Sequence, residues 1–345
     1  MKVTIVTTQV PFVYGGAEFL ADSLLRKLRE HGHSCELVKL PFRWQPPQKI
    51  LEHMLAARLV RLRTADRIVA LKFPAYYVPH EDKVLWLLHQ FRQAYDLWET
   101  PYQDLPSTTD GVTIREAIIR ADNQHLRQVS TIYTNSMVVS NRLYKFNGIG
   151  SKVLYPPLSD PDIFHCDSYQ DYIFYPSRIN AVKRQHLIVE AMRYTKSRVR
   201  LIIAGNPEET EYIRGIKQMV NDYDLERKVT ILPLFITEHE KAHLFSQALA
   251  SAYIPFDEDS YGYVTLESFR SRKAVITCVD SGGTLDLVKD GFSGFLVPPD
   301  PQRLAVAMDR LMEDRVLAET MGSNGFQDLL TREISWERVV RSLTE

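Results

Sequence analysis

Short apolar runs rich in β-branched residues alternate with amphipathic stretches along this chain, a rhythm that predicts parallel sheets covered by helices on both faces. In the first half the pattern predicts strands over 2–7, 34–40, 67–71, 84–88, 131–134 and 152–155. Apolar positions at helical spacing fill the gaps over 17–31, 49–63, 112–123 and 137–146. From Pro156-Pro157 to about Gln170 the periodicity stops among Pro161 and several Asp and Ser residues, as in a hinge. A second series follows, with strands over 172–175, 199–204, 228–232, 252–255, 274–278 and 294–297, and helices over 302–312 and 336–343. The expected fold class is α/β, with two Rossmann-like doubly wound domains, 1–156 and 157–331, facing each other across a cleft. The closing helix, about 332–345, is long enough to cross back onto the first domain.

Composition narrows the function. Lys and Arg number 42 against 43 Asp and Glu, a formal net charge of -1, so no field is available to hold a nucleic acid. The three cysteines, Cys35, Cys166 and Cys278, are far apart and form neither a disulfide framework nor a zinc motif, which fits a reducing compartment. Met1-Lys-Val-Thr-Ile-Val enters a strand directly, without the apolar region of a signal peptide, and no run approaches a membrane span. The expected location is cytoplasmic. Between Lys49 and Arg67 five cations stand against Glu52 and Asp66, with Ile50, Leu51, Met54, Leu55 and Leu59 at helical spacing. Two readings fit: a core-facing helix with a solvated basic face, or a peripheral contact with the inner face of an anionic membrane.

Four segments carry candidate chemistry. Gly15-Gly16 follows the first strand and opens the first helix, where backbone N–H groups can approach an anion or simply make a tight turn. In Ser177-Arg178-Ile-Asn-Ala-Val-Lys183, two cations five residues apart can bracket a diphosphate, or sit solvated at a helix entry. In Pro255-Phe-Asp-Glu-Asp-Ser-Tyr-Gly262-Tyr-Val-Thr-Leu-Glu267, acids precede a glycine and a helix that carries Glu267 early. Carboxylates accept from vicinal hydroxyls, so Asp259 and Glu267 suit the two ends of a sugar nucleotide. Asp257-Glu258-Asp259 also has the form of a D-x-D metal motif, whereas the Gly262 loop and helix start can bind a diphosphate without metal. His89 follows an apolar strand, at the end where such sheets bind ligands, and Arg92, Tyr95 and Asp96 just beyond it are candidates for an acceptor hydroxyl.

Together these segments resemble the retaining glycosyltransferases of family 4, which have the two-domain GT-B fold. The resemblance runs over essentially the whole chain: Gly15-Gly16, Ser177-Arg178-Ile with Lys183-Arg184, Asp259-x7-Glu267 around Tyr261-Gly262-Tyr263, Ser281-Gly282-Gly283-Thr-Leu-Asp286, and Asp290-Gly-Phe-Ser-Gly294-Phe-Leu-Val-Pro298. Tyr133-Thr-Asn135-Ser136 and Tyr155-Pro156-Pro157 also look like the family's turn and proline pair. It implies that Arg178 and Lys183 hold the donor diphosphate, that Glu267 holds the ribose, and that Asp259 and His89 serve the donor sugar and reaction centre. Gly15 and Gly16 would lie beside the phosphate, and Gly205 and Asn206 would border the base. Glu258, Ser260, Tyr261, Gly262, Tyr263 and Val264 complete the implied donor set. The sequence departs from the family pattern at Asp259 and Asp286, where Glu is usual, and at Ser177 and Arg184, where Gly is usual.

The expected reaction is retaining transfer of a hexose from a nucleotide-diphosphate sugar, UDP- or GDP-linked, to a glycan, lipid-linked or small-molecule hydroxyl, with no metal or other cofactor. The other readings are a GT-B epimerase or phosphorylase, and a non-catalytic sugar-nucleotide binding protein.

Overall fold

The computed structural model describes residues 1–12, 15–258 and 260–345, and the chain divides into two compact units. Unit 1 comprises Met1–Ser159 and Ile334–Glu345, and unit 2 comprises Asp160–Glu333. In chain order, unit 1 contains β1 (Lys2–Gln9), α1 (Gly16–Glu30), β2 (Ser34–Pro41), α2 (Gln48–Leu59), β3 (Arg67–Ala70), β4 (Lys83–Leu87), α3 (Thr109–His125), β5 (Thr131–Thr134), α4 (Met137–Asn147) and β6 (Lys152–Val153). Unit 2 contains β7 (Tyr172–Pro176), α5 (Gln185–Ala191), β8 (Arg200–Ala204), α6 (Thr210–Asp222), β9 (Val229–Leu232), α7 (Glu238–Gln247), β10 (Ala250–Ala252), α8 (Tyr263–Arg270), β11 (Ala274–Cys278), β12 (Gly294–Val297), α9 (Pro301–Glu313) and α10 (Arg315–Leu330). The chain then returns to unit 1 as α11 (Trp336–Thr344).

The sheet of unit 1 runs β2-β1-β3-β4-β5-β6, all pairings parallel. Its strands are apolar on both faces because each face meets its own core. Ile5, Val69 and Trp86 point into a cluster with Leu20, Leu24 and Leu28 of α1, whereas Val6, Ala70 and Leu87 point into one with Ile50, Met54 and Ile118. Trp336, Val340 and Leu343 of α11 complete the first cluster, and the Trp336 indole donates to the Leu158 carbonyl at 2.8 Å.

In unit 2 the order is β12-β11-β10-β7-β8-β9, again all parallel. The chain steps outward from β7 to β8 and β9, then restarts at β10 on the other side and steps outward to β11 and β12. Its direction therefore reverses between β7 and β10, and sheets of this kind bind ligands beyond the carboxyl ends of the strands at that point.

Two elements differ from expectation. The central strand β10 covers Ala250–Ala252, upstream of the predicted run. Its small residues lack a β signature, and the more apolar Tyr253-Ile254 lies just past the paired register. Helix α10 was not among the expected elements, and it contains Gly322 and Gly325. A Cβ on Gly322 would meet the Arg272 carbonyl oxygen at 2.0 Å, and one on Gly325 the Phe269 ring at 2.3 Å, so the helix uses glycine to lie close against α8 and the turn after it. Among the described residues, no helix is long and apolar enough to cross a membrane.

Candidate functional site

The loop after β7 carries the two predicted cations, and it is held by bonds on both sides. Ser177 N–H donates to the Ala204 carbonyl at 3.0 Å and Ile179 N–H to that of Asn206 at 2.8 Å, binding the loop to the end of β8. Gly205 permits this approach, since a Cβ there would stand 1.9 Å from the Ser177 carbonyl oxygen. Asn180 Oδ1 then accepts the Lys183 N–H at 3.0 Å and starts a tight turn at whose end Lys183 points inward.

Lys183 is 9% exposed, and its ammonium crosses from the β7 side to the β10 side of the reversal point. It donates to the Tyr253 hydroxyl at 2.8 Å and is ion-paired with Glu258. Tyr253 in turn donates to Glu258 at 2.8 Å, its phenol kept protonated first by burial and then by the neighbouring carboxylate. Arg178 is more open, 44% exposed at its side chain, and pairs with Glu208, which also accepts from Asn180. Both predicted phosphate ligands are therefore fixed beside the switch point by carboxylates.

The β10–α8 loop packs against the glycine pair that follows β11. Glu258 bridges to Gly282, and its carbonyl accepts the Gly283 N–H at 2.9 Å. A Cβ on Gly282 would fall 2.5 Å from Glu258 backbone atoms, at a φ of +62° that already favours glycine. At Gly262, φ is +68° and a Cβ would meet the Tyr253 ring at 2.2 Å, so this glycine lets helix α8 begin directly over the tyrosine that holds Lys183. Ser260 Oγ accepts the Gly262 N–H at 3.2 Å. The Tyr261 and Val264 side chains are buried, one just before α8 and one in its first turn. Asp259 lies outside the described residues.

Glu267 sits one turn into α8 and is 2% exposed. Its Oε1 accepts from Lys241 of α7 at 2.6 Å, while its Oε2 is buried without a hydrogen-bond partner among the described residues. Burial pushes the Glu267 carboxyl above its ordinary range, Lys241 pulls it back, and Glu238 adds to the upward push. A buried acceptor left open costs free energy, which a hydroxyl donor from a ligand would recover.

Arg184 occupies a position where glycine is usual, and its φ of +55° shows why. Its side chain turns away from the loop and staples it: Nε donates to the Ile254 carbonyl at 2.7 Å, Nη2 to that of Pro255 at 2.9 Å, and the fork binds Asp280 at 2.8 Å through both nitrogens.

In unit 1, the Gly15 N–H donates to Glu18 at 3.0 Å, and Lys72 binds the same carboxylate at 2.8 Å, so a helix-end donor beside Gly16 is occupied from within. His89 follows β4 and its Nδ1 lies 2.7 Å from the Gln90 carbonyl. Arg92 and Asp96 form an ion pair at 2.7 Å, with Arg142 at 3.5 Å from the same carboxylate. Tyr95 does not reach outward: it is 4% exposed and its hydroxyl donates at 2.7 Å to Asp122, a fully buried carboxylate that also accepts from Tyr76 and Tyr77. It is a core residue rather than an acceptor contact.

Sequence reasoning missed Asn180, Glu208, Lys241, Tyr253 and Asp280. Lys183 and Tyr253 are 70 positions apart, and nothing in the chain signals their pairing until β7 and β10 are neighbours. For Lys241, the signal was a cation in the first turns of a helix beginning Thr237-Glu-His-Glu, whose Thr237 and Glu240 cap each other.

Comparison with known proteins follows the same division. Residues 163–328 match the family model described as "Glycosyl transferases group 1". The alpha-1,3/1,6-mannosyltransferase ALG2 of Mus musculus is 35% identical over 133 residues, 37% of this chain and 31% of that protein; ALG2 of Dictyostelium discoideum is 31% identical over 137 residues, 38% of this chain and 32% of that protein. The match thus spans about a third of the length of these relatives. Over 98% of this chain the fold is like that of sucrose-phosphate synthase from Thermosynechococcus elongatus, at a TM-score of 0.80, 18% identity and 96% of that chain. It is also like that of Anabaena HepE in complex with UDP and glucose, at 0.72, 18% identity and 97% of that chain. On these matches the chain carries the two-domain GT-B fold, and its second unit, over residues 163–328, resembles the group 1 glycosyltransferases.

Proposed function

We propose that this protein transfers a hexose from a nucleotide-diphosphate sugar to a hydroxyl of a glycan, lipid-linked or small-molecule acceptor, with retention and without a metal. The observation that carries this reading is the meeting of Lys183 with Tyr253 and Glu258 at the reversal point of the unit 2 sheet, beside Arg178 and the open Oε2 of Glu267. Cations there suit a diphosphate, and the buried carboxylate suits the ribose at its far end. The likeness to ALG2, named for mannosyl transfer, favours mannose as the sugar, and the UDP-bound HepE is in keeping with a uridine carrier.

Departure of the diphosphate breaks the bond between the anomeric carbon and the phosphate oxygen, and the electron pair leaves with the oxygen. Arg178 and Lys183 stabilise that charge, exchanging Glu208 and Glu258 for phosphate oxygens. The acceptor oxygen attacks on the same face, and its proton passes to the departing phosphate oxygen. In unit 1, His89 and the Arg92–Asp96 pair are the residues we assign to the sugar and acceptor side. Screening UDP-, GDP- and ADP-hexoses identifies the donor. With it, Arg178→Ala and Lys183→Ala should each slow transfer about 100-fold or more. Near-normal turnover in both variants would remove the phosphate assignment, and a trapped covalent sugar adduct on the protein would remove the same-face mechanism.

A peripheral membrane contact is supported by α2. Ile50, Met54 and Ala57 face the core, while Leu51, Leu55 and Leu59 form an exposed stripe, Leu55 and Leu59 at 62% and 67%. Exposed Arg43, Lys49, Arg61 and Arg63 flank it, so the surface pairs apolar side chains with cations as an anionic bilayer requires.

A further inference from the structure

A carboxylate accepts from a ribose hydroxyl most strongly when it is ionised, yet Glu267 is buried almost completely. Among the described residues, the groups that face it come from α7 and α8. Lys241 and Glu238 come from α7, with Lys241 Nζ 2.6 Å from Glu267 Oε1 and 2.8 Å from Glu238 Oε1; the Tyr263 phenol comes from α8. One cation is thus shared between two carboxylates, the outer of which is 37% exposed at its side chain. Burial opposes charge on Lys241, but Glu267 and then Glu238 outweigh it and hold the ammonium above its ordinary pKa.

We propose that Lys241 is a positioning residue for donor recognition: it keeps Glu267 ionised and occupies Oε1, so that Oε2 alone is offered to the ribose. This rests on the reading of Glu267 as the ribose ligand and adds two consequences to it. The site reads one hydroxyl of the ribose strongly, rather than clamping both through two carboxylate oxygens. Its affinity for nucleotide also depends on a cation that never touches the nucleotide.

The Lys241→Met change keeps the bulk and removes the charge. Glu267 would then lose the group that counters its burial, and its carboxyl would be pushed further up. Binding a hydroxyl donor to Oε2 favours the ionised form, so nucleotide binding by the variant draws off the proton that Glu267 has gained.

The test is calorimetric titration of the full chain with UDP and GDP, with their 2′-deoxy and 3′-deoxy forms, at pH 7 to 9 and in buffers of different ionisation enthalpy. In the unsubstituted protein one deoxy form should bind about 10- to 100-fold more weakly and the other within about threefold, with no proton exchanged above pH 7. Lys241→Met should bind more weakly at pH 7, recover as pH rises, and release a proton on binding, whereas Lys241→Arg should follow the unsubstituted protein. Equal losses for both deoxy forms, or a Lys241→Met profile parallel to that of the parent, would overturn the proposal while leaving nucleotide binding intact. Failure of the parent to bind either nucleotide would instead overturn the ribose-site reading, and the proposal with it. Should Lys241→Met not fold, Glu238→Gln serves: releasing Lys241 wholly to Glu267 should shift the acid limb of nucleotide binding to lower pH, and an unmoved limb would refute the coupling.

Discussion

Replacing Arg184 by glycine, the residue usual at its position, separates its backbone role from its side-chain role. The backbone would gain: left-handed geometry at φ +55° costs a residue with a Cβ about 1–2 kcal/mol. The greater freedom of glycine in the unfolded chain gives back about 0.5–1 kcal/mol of that gain, leaving at most about 1.5 kcal/mol. Against it stands the guanidinium, 5% exposed as a residue, with bonds of 2.7 and 2.9 Å to the Ile254 and Pro255 carbonyls and a two-pronged contact at 2.8 Å with Asp280. Two buried carbonyls left without donors cost about 1–3 kcal/mol each. Asp280 is 34% exposed at its side chain and can turn to water, so its share is the smallest. The expected net loss for Arg184→Gly is about 3 kcal/mol. Urea unfolding of the full chain reads the total, and hydrogen exchange at the Asp257 and Gly283 amides, which bind the Asp280 and Glu258 carbonyls, reads it locally. A stability within 1 kcal/mol of the parent, with unchanged exchange at both amides, would refute the staple and leave Arg184 a tolerated glycine substitute.

Asp122 offers a pH test of the unit 1 core. Burial raises its carboxyl from 3.8 to about 6, opposed by donors from Tyr77, Tyr95, Tyr76 and Gln90. The folded state therefore holds this proton more tightly than the unfolded one; the stabilisation is full below pH 4 and is lost as pH rises through 6, a change of about 3 kcal/mol. Relative to Asp122→Asn, which cannot titrate, the parent should lose about that much stability between pH 4 and pH 7 in paired urea titrations, and a constant difference would refute the shift. On the surface, replacing Leu51, Leu55 and Leu59 together by Ser should abolish flotation with phosphatidylserine vesicles without lowering the unfolding temperature. Flotation equal to that of the parent would take α2 out of membrane contact.

The parts of this molecule that could be read in the chain are those whose cause is local. Strands such as β1 announce themselves because both their faces are buried and β-branched, and Arg178, Lys183, Gly262 and Glu267 stand out because cations, a glycine and a carboxylate fall near strand ends and a helix start. The small residues of β10 carry no β signature, and the glycines of α10 serve close approach to neighbouring backbone and rings, which no local pattern announces. Partners were hidden for a different reason. Tyr253 reaches Lys183, Asp280 reaches Arg184, and Asp122 collects Tyr76, Tyr77 and Tyr95 only because the crossovers of each sheet bring distant loops together. Tyr95 was therefore misread as an acceptor contact, since its place in sequence beside Arg92 and Asp96 says nothing of the buried carboxylate it serves.

Binding of UDP, GDP and ADP to the full chain in the presence of EDTA tests the central claim most directly. The account predicts that UDP or GDP binds with a Kd below about 1 mM, unchanged when EDTA is replaced by Mg2+ or Mn2+, and that Lys183→Ala and Glu267→Gln each weaken it at least about tenfold. Absence of binding for all three nucleotides, binding that appears only with Mn2+, or affinity untouched by both substitutions would contradict it.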